Sequence, residues 1–202
     1  MTRIEWTRGL RWFFRLSLLA LMLGLAGPVT ARSGAGQDSV VMVAPVVRAG
    51  QLYLDVDAEL DVAGDLRDIA QKGVPLYFAA DVDIVRRRWW WFDKPVLQAQ
   101  MGWRIVYNAL TRQWRVSSGD LWLNEASFDD AMAHVRHIRS WALAEAAALE
   151  DSVDYRGRVR IRLDTSRLAR PFQIDALNSS AWSLATPWKD FSFSISEDDS
   201  RP

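Results

Sequence analysis

A polar triplet on one predicted helix offers the ligand types of a metal site. Asp130, His134 and His137 follow the spacing i, i+4 and i+7, and the chain has 2 histidines in all. On a helix this spacing places three side chains on one stripe, and imidazole and carboxylate are common zinc ligands. The same stripe is typical of a solvent-facing helix surface, and no second acidic or histidine-rich motif completes the ligand set. We favour the solvent-facing interpretation and keep the three residues as candidates for metal binding.

Catalytic constellations have less support. The chain has no cysteine and no Gly-x-Ser-x-Gly motif, which disfavours a nucleophilic site. Asp55 with Asp57, and Asp81 with Asp83, would present carboxylates about 6.6 Å apart on a strand, within the range that glycosidases use, but any strand with an acidic face has this spacing. No phosphate-binding glycine loop is present. We therefore predict no catalytic residue, no cofactor and no enzymatic activity, and a hydrolase ranks last.

Four alternating arginines in "YRGRVRIRLD" could bind an anionic partner. The outward-facing residues are Arg156, Arg158, Arg160 and Arg162, and the inward-facing ones are Tyr155, Val159, Ile161 and Leu163. Lipid headgroups, a polysaccharide or an acidic protein would suit such a stripe. Two other predicted strands carry acidic stripes, namely Asp55, Asp57 and Glu59 on one and Asp81 and Asp83 on the other. We favour an ion-pair ladder between neighbouring strands, which is weak but guides their register.

The segment "RRRWWW" places cations beside indole rings, as at membrane interfaces and in nucleic-acid stacking. Alternate residues of the strand before it face inward, and the same parity would carry Arg86 and Arg88 into the core. Unpaired buried charges are too costly for that arrangement, so we predict a strand end or a β-bulge near Val85. The segment then lies at a hairpin end. We favour local packing there over contact with a partner or membrane, for which the candidates are Arg86, Arg87, Arg88, Trp89, Trp90 and Trp91.

The elements that carry these residues predict a β-rich α+β domain. Period-2 alternation predicts strands over 51–60, 76–85, 96–109 and 155–164, and a final strand near 188–195. Strands with one apolar and one polar face are typical of an antiparallel sheet, which we expect to be curled or packed as a sandwich. Two helices are predicted, one from Asp61 as N-cap to Gly73 and one from Ser127 with Asp130 in a capping box. The helix-forming composition of "SWALAEAAALEDS" predicts that the second helix continues or restarts there.

The N-terminal stretch has the features of an export signal. Four arginines flank the start of the apolar run 16–26, and 29–31 has the small residues of a cleavage site. We expect residues 1–31 to be a cleaved signal peptide or a retained inner-membrane anchor, and the location to be periplasmic. Residues 32–39 are predicted to be a linker, 40–196 a single β-rich domain and 197–202 a frayed tail. Without 1–31 the chain is slightly acidic, which argues against nucleic acid as a partner.

Three blocks carry a resemblance to a known family. They are "GVPLYFAADVDIVRRRWWWFD", "YNALTRQWRVSSG" and "RIRLDTSRLARPFQIDALNSSAWSLATPW". Together they resemble exported bacterial proteins of unknown function, sometimes labelled proline-rich signal peptide proteins. The resemblance covers most of the chain after Val40 and implies an envelope protein whose gene often lies beside a nitrogen-regulation type sensor kinase and response regulator. It implies no catalytic or binding residues, and Ala169 stands where relatives commonly have proline, which affects only local turn rigidity.

These features favour a non-enzymatic exported domain that binds another envelope protein or a ligand, or that modulates a membrane sensor. The expected partner is therefore an envelope or sensor protein. The alternative function is a peripheral membrane protein that docks on the membrane surface through the arginine and tryptophan hairpin end. The two differ in whether the domain without 1–31 binds anionic vesicles.

Overall fold

The computed structural model describes residues 38–86, 93–150, 153–178 and 180–195. These residues form nine strands: β1 (Ser39–Arg48), β2 (Gln51–Glu59), β3 (Leu76–Arg86), β4 (Lys94–Asn108), β5 (Gln113–Ser118), β6 (Leu121–Glu125), β7 (His137–Glu145), β8 (Asp154–Leu163) and β9 (Lys189–Ser194). They also form three α-helices: α1 (Gly64–Gln71), α2 (Phe128–Arg136) and α3 (Arg170–Asn178). The predicted signal or anchor, nearly all of the predicted linker and the predicted tail lie outside the described residues. Within those residues, none of the helices has the length and apolar character that a membrane span requires.

The strands form two antiparallel sheets. The larger has six strands in the order β6-β5-β4-β3-β8-β9, and the smaller has three in the order β1-β2-β7. Along β2, β3 and β8 the buried side chains alternate with more exposed ones, as period-2 patterning predicts. The predicted fold class, a β-rich α+β domain with antiparallel sheets and helices, is confirmed.

Besides a smaller second cluster, the two sheets share one main apolar core, as in a sandwich. It joins Leu54 and Val56 of β2 with Phe78 and Val82 of β3 and Val159 of β8, each no more than 1% exposed. Helices α1 and α2 contribute buried residues to the same core. Burial of apolar area is the main force that stabilises folding. Packing of the inward side chains therefore fixes the positions of the strands, and with them the outward-facing polar side chains.

The first helix departs from its predicted start, whereas the second begins as predicted. Helix α1 starts after Ala63, which makes no side-chain cap, and not at Asp61. Helix α2 starts after Ser127, whose hydroxyl oxygen accepts a hydrogen bond from the backbone N–H of Asp130 at 3.0 Å. Helix α3 was missed by the sequence analysis. The motif of Ser127 identified its helix correctly because capping chemistry is local.

The segment that follows α2 contradicts the prediction. Helix α2 ends at Arg136, and "SWALAE" belongs to strand β7, where Trp141 pairs with Leu54 of β2. The predicted continuation of the helix is therefore wrong for 140–145, and the segment restarts only as one 3-10 turn at Ala146–Ala148. Alanine-rich composition favours a helix only weakly, and pairing with the neighbouring β2 overrides it.

The predicted irregularity near Val85 is a β-bulge, and its extra residue lies on the neighbouring strand. The pairing of β3 with β4 shifts by one residue between Ile84 and Val85, so that Val96 of β4 is the extra residue. The pairing of β3 with β8 continues without a shift to Arg86. The bulge therefore changes the register of β4, while β3 runs straight to the end of the core.

Candidate functional site

The arginine stripe forms an ion-pair ladder with β3. In the register of the sheet, Asp81 lies opposite Arg160 and Asp83 lies opposite Arg158. Arg158 Nη2 is 2.7 Å from Asp83 Oδ2, and Asp81 Oδ2 accepts hydrogen bonds from Arg160 Nε at 3.1 Å and Arg162 Nε at 2.9 Å. The predicted ladder exists, and the acidic strand in it is β3 and not β2.

The centre of the ladder is electrostatically well matched. Gln100 of β4 donates a further hydrogen bond to Asp81 at 2.6 Å. Burial by itself would raise the pKa of Asp81, but the hydrogen bonds from Arg162, Gln100 and Arg160 and the charge of Arg162 together lower the pKa below its ordinary value. The pKa of Arg162 is raised, chiefly by its hydrogen bond to Asp81. Both groups therefore stay charged at neutral pH.

Trp188 covers part of this ladder. The guanidinium carbons of Arg158 and Arg160 each lie 4.5 Å from the centroid of its ring, which is cation–π geometry. Arg156, the fourth arginine of the stripe, makes no ion pair within the described part of the chain. Three of the four candidate arginines thus have carboxylate partners within the fold, although the side chain of Arg158 is still 52% exposed.

The acidic stripe of β2 pairs with β7. Asp57 Oδ1 lies 2.8 Å from His137 Nδ1 and also accepts a hydrogen bond from Arg139. Asp55 Oδ1 accepts a hydrogen bond from the backbone N–H of Ser140 at 2.6 Å. The hydrogen bonds from His137 and Arg139 lower the pKa of Asp57. Through these hydrogen bonds both carboxylates connect β2 to β7.

The metal candidates do not share one helical stripe. Asp130 belongs to the cap of α2, with its Oδ2 2.6 Å from the Ser127 hydroxyl, and His134 Nε2 lies 2.7 Å from Glu125 Oε1. His137 is in β7, because α2 ends one residue before it. The helical spacing assumed for the triplet is therefore wrong. Among the described residues no group of three or more His, Cys, Asp or Glu side chains is arranged to hold a metal ion.

Of the arginine and tryptophan segment, the described residues include only Arg86. Arg86 keeps the inward parity of β3, but it lies at the end of the strand and forms an ion pair with Glu150. Its side chain is 29% exposed, so the charge reaches the edge of the core and not its interior. Arg87, Arg88, Trp89, Trp90 and Trp91 lie outside the described residues.

An apolar groove, which we call the β6 groove, lies beside strand β6. It has a volume of about 450 Å³ and is lined by Met101, Trp103, Val116, Ser118, Leu121, Leu123, His134, His137, Ile138 and Arg139. Trp103, Val116 and Ile138 are buried, whereas Leu121 and Leu123 are 78% and 50% exposed. The groove therefore joins the apolar core to an exposed apolar strand, and both histidines of the chain line it.

The comparisons with known proteins give a family and no activity. A family described as "Domain of unknown function (DUF4390)" matches residues 39–192. The chain belongs to this family. No curated protein and no solved structure matches it. The DUF4390 match runs from the first residue of β1 into β9, so it covers both sheets, and the predicted membership of an uncharacterised family is confirmed.

The sequence analysis of this DUF4390 domain missed the β6 groove. The available signal was "LWL" at 121–123, three apolar residues in a row directly after the turn "SSGD". A strand with one wet face would alternate, so an unbroken apolar run indicates a strand that is apolar on both faces. Whether such a strand is central or exposed depends on the strand order, and only the structure shows that β6 is at the end of the sheet.

Proposed function

We propose that this protein is an exported envelope protein that acts by binding another protein and not by catalysis. The observation that carries the proposal is the β6 groove with its exposed apolar strand. Leu121, Trp122 and Leu123 are 78%, 59% and 50% exposed and follow one another directly. Single exposed apolar residues are ordinary, but a contiguous apolar surface beside a groove is typical of an interaction site.

The acidic residues of β2 and β3 support the same proposal, because they form ion pairs within the fold. Asp81 and Asp83 pair with the arginines of β8, and Asp57 pairs with His137 and Arg139 of β7. The lowered pKa values of Asp57 and Asp81 make these two carboxyls poor general acids at neutral pH. The apolar surface is thus the better candidate for function than either acidic strand.

The envelope location and the role beside a membrane sensor belong to this proposal. They are supported by the basic and apolar pattern of residues 1–31 and by the resemblance to exported proteins. Cell fractionation of the full chain, with the mass of the recovered protein, tests the location. Recovery in the cytoplasm with residues 1–31 intact would contradict it.

Site-specific photo-crosslinking in cells of the native host tests the binding surface. A photoreactive amino acid at position 122 should give an adduct with another envelope protein, because Trp122 lies on the exposed strand. The matched control is position 110, since Leu110 is 96% exposed but stands alone in the turn between β4 and β5. An adduct of equal yield at both positions, or no protein adduct at 122, would contradict the proposal. Crosslinks to lipid alone would also contradict it.

A further inference from the structure

We infer that β6 takes up an extended segment of the partner as an additional strand, with alternate apolar residues of that segment in the β6 groove. This inference rests on the proposed function and states how the partner binds. Strand addition uses the unpaired N–H and C=O groups of a sheet edge for affinity and side-chain pockets for specificity.

Three of the four sheet edges in the described part of the chain carry features that block strand addition. Strand β1 has a register shift between Val40 and Met42 and contains Pro45. Strand β7 has two register shifts against β2, with Ser140 at a positive φ of 51°. Strand β9 begins with two charged residues, lysine and aspartate. Bulges, proline and charges are the usual means by which proteins protect an edge from unwanted pairing.

Strand β6 lacks most of this protection. It pairs with β5 in an unbroken register and contains no proline, glycine, lysine or arginine. Its one charged residue, Glu125, is 2.7 Å from His134. Leu121 and Leu123 line the groove, and Trp122 lies on the other face, where Arg115 Cζ is 4.9 Å from its ring centroid. Both faces therefore offer apolar contacts to a strand added beside β6.

The chemistry of the segment follows from the apolar lining of the groove. The basic side chains of the lining, His134, His137 and Arg139, already pair with Glu125 and Asp57. The buried floor and the exposed leucines of β6 therefore favour a segment with apolar residues at alternate positions.

Selection from a phage-displayed library of random 12-residue peptides on the full chain tests this mode. We expect enriched peptides with apolar residues at i and i+2. Bound peptide should slow amide hydrogen exchange in β6. Leu123→Lys should weaken binding at least tenfold, because lysine protects an edge. Leu110→Lys, at a 96% exposed position away from the groove, should leave binding unchanged.

The other outcomes overturn the inference. These are the absence of any enriched peptide, enrichment of a helical i, i+3, i+4 pattern, or binding that leaves β6 exchange unchanged. A dimer of the full chain that Leu123→Lys disperses would assign β6 to a second copy. In each case the crosslink at position 122 still reports separately on the proposed function, because it needs contact at β6 but not strand pairing.

Discussion

Replacing Gly157 with alanine tests how β9 is held on β8. A Cβ at Gly157 would lie 2.1 Å from Cζ of Phe191, and 2.5 and 2.6 Å from two further ring carbons. Phe191 lies opposite Gly157 in the pairing of the two strands, and its ring packs against both apolar clusters of the domain. The added methyl group therefore forces the ring out of its packed position.

The expected cost follows from two opposing effects. Forcing an extra methyl group into a packed site costs about 1–3 kcal/mol. Replacing glycine with alanine restricts the unfolded chain and by itself stabilises by about 0.4–1 kcal/mol. We therefore expect Gly157→Ala to lower the free energy of unfolding by about 1–2 kcal/mol. In a chain of 202 residues each kcal/mol corresponds to about 2–4 °C in melting temperature.

Urea and thermal unfolding of a small set of variants measure this cost. The matched control is Gly64→Ala, because a Cβ at Gly64 would have no atom within 4 Å. The free energy of unfolding of this variant should be unchanged or higher. In the Phe191→Ala background, Gly157→Ala should no longer destabilise, since the ring that it displaces is gone. A cost of the same size in both backgrounds would refute the reasoning, as would a neutral Gly157→Ala.

Three further predictions concern the ladder, the pH response and the cap of α2. Asp81→Asn should lower the free energy of unfolding in urea by about 1–2 kcal/mol. Asp83→Asn should lower the free energy of unfolding by less, because Asp83 bonds to one arginine whereas Asp81 bonds to two. Equal losses in the two variants would contradict this. Because the folded pKa of Asp81 is lowered, its contribution is present above the ordinary pKa of 3.8 and lost as pH falls through the folded pKa. The melting temperature should therefore fall as the pH is lowered below about 4, and it should fall less steeply in Asp81→Asn. Parallel curves of melting temperature against pH for the two proteins would exclude Asp81 as the cause. Ser127→Ala should cost about 1 kcal/mol in thermal unfolding because the Asp130 amide loses its acceptor, and Ser192→Ala, on the exposed face of β9, is the control; equal effects would argue against the cap.

Local patterns predicted most of the strands. Period-2 alternation identified the inward faces of β2, β3, β4 and β8, because in a strand the face of each residue follows from its position alone. The cap at Ser127 was predictable because it depends on a contact between residues only three positions apart. The parity of "RRRWWW" located a register irregularity at Val85, although the structure has its extra residue, Val96, on β4.

The failures arose where distant pairing decides the structure. "SWALAE" has helix-forming composition, but it is a strand because Trp141 and its neighbours pair with β2. The metal triplet required the second helix to include His137, but α2 ends at Arg136 and His137 begins β7. The β6 groove was missed because its lining comes from β4, β5, β6, α2 and β7, which are far apart in the chain.

The two acidic stripes separate what the sequence determines from what it leaves open. The sequence alone determines that Asp55 and Asp57 face outward on one strand and Asp81 and Asp83 on another, because alternation is a local property. It does not determine which stripe meets the arginines, since both have the right charge and spacing. Only the strand order decides it: β3 lies beside β8, so Asp81 and Asp83 pair with the arginines of β8, whereas β2 lies beside β7, where Asp57 pairs with His137 and Arg139. Strand order results from the packing of both sheets on one core, a property of the whole chain.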